Sequence, residues 1–109
     1  PVLQIHGTLD TTVKFDGDPS INMEPINNVL DYWSTYNSCD PTPTLRVIDY
    51  PEFSIDNKKY NNCLNNVSVE LYKISNMAHT WPYKNNYGIS ATEEVWNFVS
   101  QFDIYGKIN

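Results

Sequence analysis

The chain is poor in positive charge, with seven Lys plus Arg against thirteen Asp plus Glu, a net charge of -6 and no basic cluster. That shortage excludes a nucleic-acid surface held by phosphate contacts, and it excludes attraction to an anionic membrane. The apolar runs extend only a few residues, far short of the roughly 20 that cross a bilayer as a helix. A charged n-region followed by an apolar h-region is also missing from the first residues, so any targeting segment is expected to have been removed or to lie outside this piece. Two cysteines and two histidines stand at no ligand spacing, which argues against a metal centre, and nothing points to another cofactor. Internal repeats, linkers and low-complexity tracts are absent, although asparagine is unusually frequent in the loops.

What remains describes a core-forming chain of 109 residues with 40% hydrophobic and 14% aromatic side chains. The length allows one small domain or one piece of a larger one. Val2-Leu3-Gln4-Ile5 reads as a buried strand that ends at His6-Gly7. Ile26, Val29, Leu30 and Trp33 recur at i, i+3, i+4 and i+7, which predicts a helix from about Met23 to Tyr36 with Pro25 in its first turn. On that stripe Trp33 reads as core. Thr44 to Tyr50 alternates as an edge or hairpin strand barred by Pro51, and Asp56-Asn57-Lys58-Lys59 carries turn chemistry. Val67 to Ile74 is a second strong strand. Ser90-Ala91-Thr92-Glu93 is a capping box, with Val95, Phe98, Val99 and Phe102 at helical spacing behind it.

Cys39 and Cys63 lie in turn-rich surroundings. They read as an exposed disulfide closing a loop of about 25 residues, or as two separate thiols in a reducing compartment. Asn66-Val67-Ser68 is a glycosylation sequon, which matters only on a eukaryotic secretory route.

The order strand, helix, hairpin-like insertion, strand, helix is the alternation of an α/β parallel sheet covered by helices. Two parallel strands cannot bury both of their faces unaided, so the chain is expected to be the C-terminal part of a larger α/β fold, incomplete without an upstream segment. In open parallel sheets, sites form at the carboxyl ends of strands. Asp10 follows the first strand and His79 follows Val67 to Ile74, so an acid and an imidazole could meet there, two thirds of a Ser, His, Asp triad. The plain alternative is a turn-capping aspartate and a solvated histidine.

His6-Gly7-Thr8-Leu9-Asp10-Thr11-Thr12-Val13, then Phe15-Asp16-Gly17, His79-Thr80-Trp81-Pro82 and Ile89 to Phe98 together resemble the C-terminal part of secreted α/β-hydrolase esterases. The group is the polyhydroxybutyrate-depolymerase-like esterases, which include carbohydrate esterase family 1 feruloyl and acetylxylan esterases. The similarity spans nearly all of residues 1–109, including Trp33 and Asn37-Ser38-Cys39. It implies a single α/β-hydrolase catalytic domain, of which this is the C-terminal part, with Asp10 as triad acid and His79 as base. It also implies that Trp81 lines the cleft, against the alternative of a core tryptophan held by Pro82, and that His6 supports the Asp10 loop.

The departures are specific. There are four glycines and no Gly-x-Ser-x-Gly, and neither Ser20 nor Ser90 sits on a strand-to-helix elbow, so the nucleophilic serine and oxyanion hole would come from an upstream segment or separate chain. Met77-Ala78 stands where the resembled family often has glycines. The implied activity is an extracellular serine esterase acting on feruloylated or acetylated xylan. A polyester depolymerase-like esterase and a non-catalytic carbohydrate-binding module are the competing readings.

Overall fold

The computed structural model describes residues 1–108. Its central element is a four-stranded sheet in the order β1-β4-β3-β2, where β1 is Val2–Gly7, β2 Thr44–Asp49, β3 Ser54–Tyr60 and β4 Val69–Ile74. Strands β1 and β4 are parallel, with Val2 opposite Val69 and Gly7 opposite Ile74. The other two pairings, β4 with β3 and β3 with β2, are antiparallel.

The expected C-terminal portion of an α/β-hydrolase fold, a parallel sheet covered by helices and incomplete without an upstream segment, is therefore corrected to a small compact domain built on a mixed sheet with one parallel pair. Thr44–Asp49 is the edge and hairpin strand its alternation indicated, and its partner β3 docks along β4, which makes the sheet mixed. Asp56-Asn57-Lys58-Lys59, which carries turn chemistry in isolation, lies inside β3. Its polar side chains find partners across the sheet. Lys59 Nζ sits 3.3 Å from Glu70 Oε1, and Asn57 Nδ2–H donates to the Leu71 carbonyl at 3.4 Å. The turn falls instead at Tyr50–Phe53, closed by Tyr50 N–H donating to Phe53 O and by stacking of the two rings. Strand β2 ends the sheet with Leu45 and Val47 exposed, and no helix among the described residues covers those two side chains.

Alternation along β4 divides the core between two faces. Val69 and Leu71 pack with Tyr60, Phe15 and the apolar stripe of helix α1, Ile26–Tyr36. Tyr72 and Ile74 pack on the opposite face with Ile55, Met77 and Ile89. Burial of each such side chain stabilises the fold by roughly 1.5–3 kcal/mol. Trp33 is half-buried against the first cluster, as its place in the helical stripe required.

Helix α1 begins at Ile26, three residues later than its periodicity indicated, because Pro25 adopts ψ 144° and caps the helix in an extended conformation. At its other end Asn37 Nδ2–H donates to Trp33 O at 2.8 Å. A four-residue helix α2, Lys84–Tyr87, leads to helix α3, Ala91–Val99, where Ser90 Oγ accepts the Glu93 N–H at 3.3 Å. Helix α3 stops before Phe102, which pairs with Lys107 in a short hairpin of β5, Phe102–Asp103, and β6, Gly106–Lys107. Tyr72 O–H donates to Glu94 Oε2 at 2.9 Å and ties α3 to the sheet.

Cys39 and Cys63 form a disulfide. Cys63 is buried rather than exposed, and the bond joins the turn after α1 to the turn before β4. Leu64 N–H to Asn37 O and Asp40 N–H to Asn61 O brace the same junction. Replacing both cysteines with serine is expected to lower unfolding free energy by about 3 kcal/mol, from the loop entropy the cross-link removes in the unfolded chain. Urea unfolding of the double variant beside the parent checks this, and coincident midpoints would contradict it.

Candidate active site

Parallel neighbours in register finish at the same level, so the loops leaving β1 and β4 emerge side by side. Backbone bonds stitch them together. Thr8 N–H donates to Ile74 O at 3.0 Å and Leu9 N–H to Met77 O at 2.9 Å, while Asn76 N–H donates to Thr8 Oγ1 at 2.9 Å. The approach requires glycine at position 7, because a Cβ there would collide with the Met77 carbonyl. Met77 is buried in the second core cluster and anchors this loop.

The stitched loops bring Asp10 and His79 together across 69 positions of sequence, with His79 Nδ1 2.8 Å from Asp10 Oδ2. Asp10 is 8% exposed, and its Oδ1 accepts N–H bonds from Thr12 at 2.9 Å and Val13 at 2.8 Å. Burial pushes its carboxyl up, but the bonds from Val13, His79 and Thr12, with the imidazole charge, outweigh burial and hold it below the ordinary carboxylate value. The ionised carboxylate accepts only, so His79 Nδ1 carries the proton and donates. This leaves Nε2 as the acceptor nitrogen, without a hydrogen-bond partner among the described residues. The His79 side chain is 58% exposed, so that nitrogen is reachable.

His6 is buried one layer beneath. Gln4 Nε2 donates to His6 Nδ1 at 3.0 Å, which assigns the His6 proton to Nε2, and Nε2–H donates to Val13 O at 2.6 Å. The same Nε2 lies 3.6 Å from Asp10 Oδ2. His6 thus holds the loop whose amides hold Asp10. Gln4 was not singled out from the sequence, although Gln4 and His6 are the two polar side chains on one face of an otherwise apolar strand.

The pair opens on a cleft of about 420 Å³ lined by Gln4, His6, Asp10, His79 and Trp81. Trp81 is half-exposed in the cleft wall rather than in the core, and its Nε1–H donates to Thr92 Oγ1 at 3.2 Å. On its other side lies an apolar groove of about 540 Å³, lined by Leu3, Ile5, Val95, Phe98 and Val99.

No serine lines the cleft. Ser20 Oγ donates to Asp18 Oδ1 in an exposed turn, and Ser90 caps α3. The arrangement is a histidine oriented by a buried carboxylate, chemically able to take a proton at Nε2 from a hydroxyl delivered to it. Comparison of the chain with protein-family models, with curated proteins and with solved structures found no match.

Two outcomes follow from this geometry. Gly7→Ala is expected to destabilise the fold by about 1–3 kcal/mol, the usual range for forced overpacking, and to separate the two loops. Loss of the downfield His79 Nδ1–H proton signal would report the separation, and its retention would contradict the stitching role. Because folding lowers the Asp10 pKa, its stabilising contribution is complete above the unfolded value near about pH 4 and disappears as pH falls through the folded one. The stability gap between the parent and Asp10→Asn is therefore expected to shrink on acidification below about pH 4. Urea titrations from neutral to acid pH measure that gap, and a constant difference would remove Asp10 as its source.

Proposed function

We infer that this chain supplies the acid and base of a serine esterase acting on plant cell-wall esters, with feruloyl or acetyl esters of xylan as substrates. The observation that carries the reading is the bond from His79 Nδ1–H to a buried, ionised Asp10, which leaves Nε2 free in an open cleft. The resemblance of the motifs around Asp10, His79 and Trp81 supplies the reaction class and substrate.

The nucleophile comes from another polypeptide segment or chain. In the assembled enzyme His79 Nε2 takes the proton of that segment's serine as its oxygen attacks the ester carbonyl. The imidazolium, stabilised by Asp10, then returns the proton to the departing alcohol. Water adds to the acyl-enzyme with His79 again as base, the acid leaves, and the serine recovers its proton. The oxyanion is stabilised by donors of the same missing segment. Trp81 supports the reading as a half-exposed ring beside the base, placed to stack on an aromatic acyl group or a sugar.

The isolated chain is expected to hydrolyse neither methyl ferulate nor acetylated xylan and to remain unlabelled by a fluorophosphonate. Labelling of this chain would mean that one of its own serines is the nucleophile. In the enzyme that also contains the serine-bearing segment, Asp10→Asn and His79→Ala are expected to lower kcat by about 10³ to 10⁴-fold with the fold retained. Near-normal turnover in both variants would overturn the assignment.

A further inference from the structure

At the opposite end of β4 from His79, we propose that Asn66 is an acceptor site for an N-linked glycan. Asn66-Val67-Ser68 is the one Asn-x-Ser/Thr sequence among the fourteen asparagines of the chain. Asn66 is exposed, in a short helical turn at Leu64–Asn66, and its side-chain amide has no hydrogen-bond partner among the described residues. Three residues before it, Cys63 is oxidised in the disulfide with Cys39, a state that persists in the compartments where N-glycans are added.

The fold presents this turn rather than burying it. Asn65 and Asn66 both adopt the left-handed conformation, with φ of 56° and 55°, which asparagine tolerates better than most residues. Gly106 of β6 backs the turn so closely that a Cβ there would strike the Asn65 carbonyl. Beside Asn66 lies a polar cavity of about 340 Å³ lined by Asn61, Asn62, Gln101 and Lys107. Those amides and the ammonium offer partners for the hydroxyl and acetamido groups of a first sugar.

In the transfer, Asn66 Nδ2 bonds to the anomeric carbon of an oligosaccharide carried on a lipid diphosphate. The bond from that carbon to the diphosphate oxygen breaks, the lipid diphosphate departs, and the nitrogen gives up one proton. The host's transferase acts on the extended sequon before folding is complete. Ser68 can therefore serve as the sequon hydroxyl and afterwards become buried, with its Oγ 3.2 Å from Glu70 Oε1. Strand β4 places the glycan on the order of 20 Å from the Asp10 and His79 pair, so the two sites do not obstruct one another.

The test is intact-mass spectrometry of the full chain expressed through the yeast secretory pathway, in both the secreted and the cell-retained fractions. Asn66→Asp, which keeps the left-handed turn, and Ser68→Thr, which keeps a sequon, are prepared beside it. The parent and Ser68→Thr are expected to carry, on most molecules, an oligosaccharide mass removable by peptide N-glycosidase. Asn66→Asp is expected to carry none while retaining the Cys39–Cys63 bond, which shows that it folded. A parent at its bare polypeptide mass would overturn the proposal. So would a sugar ladder that persists in Asn66→Asp.

Discussion

The arrangement depends on the parallel register of β1 against β4. Because Gly7 lies opposite Ile74, the chain leaves both strands at one level, and the two loops can bond to each other rather than to solvent. Glycine at position 7 makes the approach sterically possible, and the buried side chain of Met77 holds the second loop down onto the core. A slip of one residue would turn Leu3 and Ile5 to the other face of the sheet and carry the Asp10 loop away from His79. Core packing and the candidate chemistry therefore rest on the same register.

Around that junction the polar groups are arranged in depth. Gln4 orients His6, His6 holds the Val13 carbonyl, and the amides of Thr12 and Val13 hold Asp10, which in turn orients His79. An ionised carboxylate with so little exposure would be costly if unpaired, and here hydrogen bonds to its charged form outweigh the loss of water. Of Gln4, His6, Asp10 and His79, only His79 reaches well into solvent. The orienting groups are thus hydrogen-bonded in place beneath the surface, while the acceptor nitrogen of His79 stays accessible.

Much of the local structure was legible in the sequence. Helical spacing located α1 and α3, Ser90 marked the start of α3, and strong apolar alternation located β4. The positions of Asp10 and His79 just beyond two strands were equally plain, and the turn-rich flanks of Cys39 and Cys63 favoured the disulfide that forms. Strand β3 was not legible, because its apolar residues Ile55 and Tyr60 stand at its two ends and face opposite sides. Its middle is polar, and the partners that make a strand of it, Glu70 and the Leu71 carbonyl, lie more than ten residues away. The start of α1 was misplaced because apolar periodicity does not register the extended backbone of Pro25.

By itself, then, the sequence determined the apolar stripes, the caps, the short range of elements and the residue types available for proton transfer. These are local properties, set by side-chain spacing along one segment. Only the tertiary structure decided that 44–60 joins the sheet antiparallel, so that the sheet is mixed, and that Asp10 and His79 share a hydrogen bond. Alternating side chains look the same in parallel and antiparallel strands, since the hydrogen bonds that distinguish them are made to partners distant in the chain.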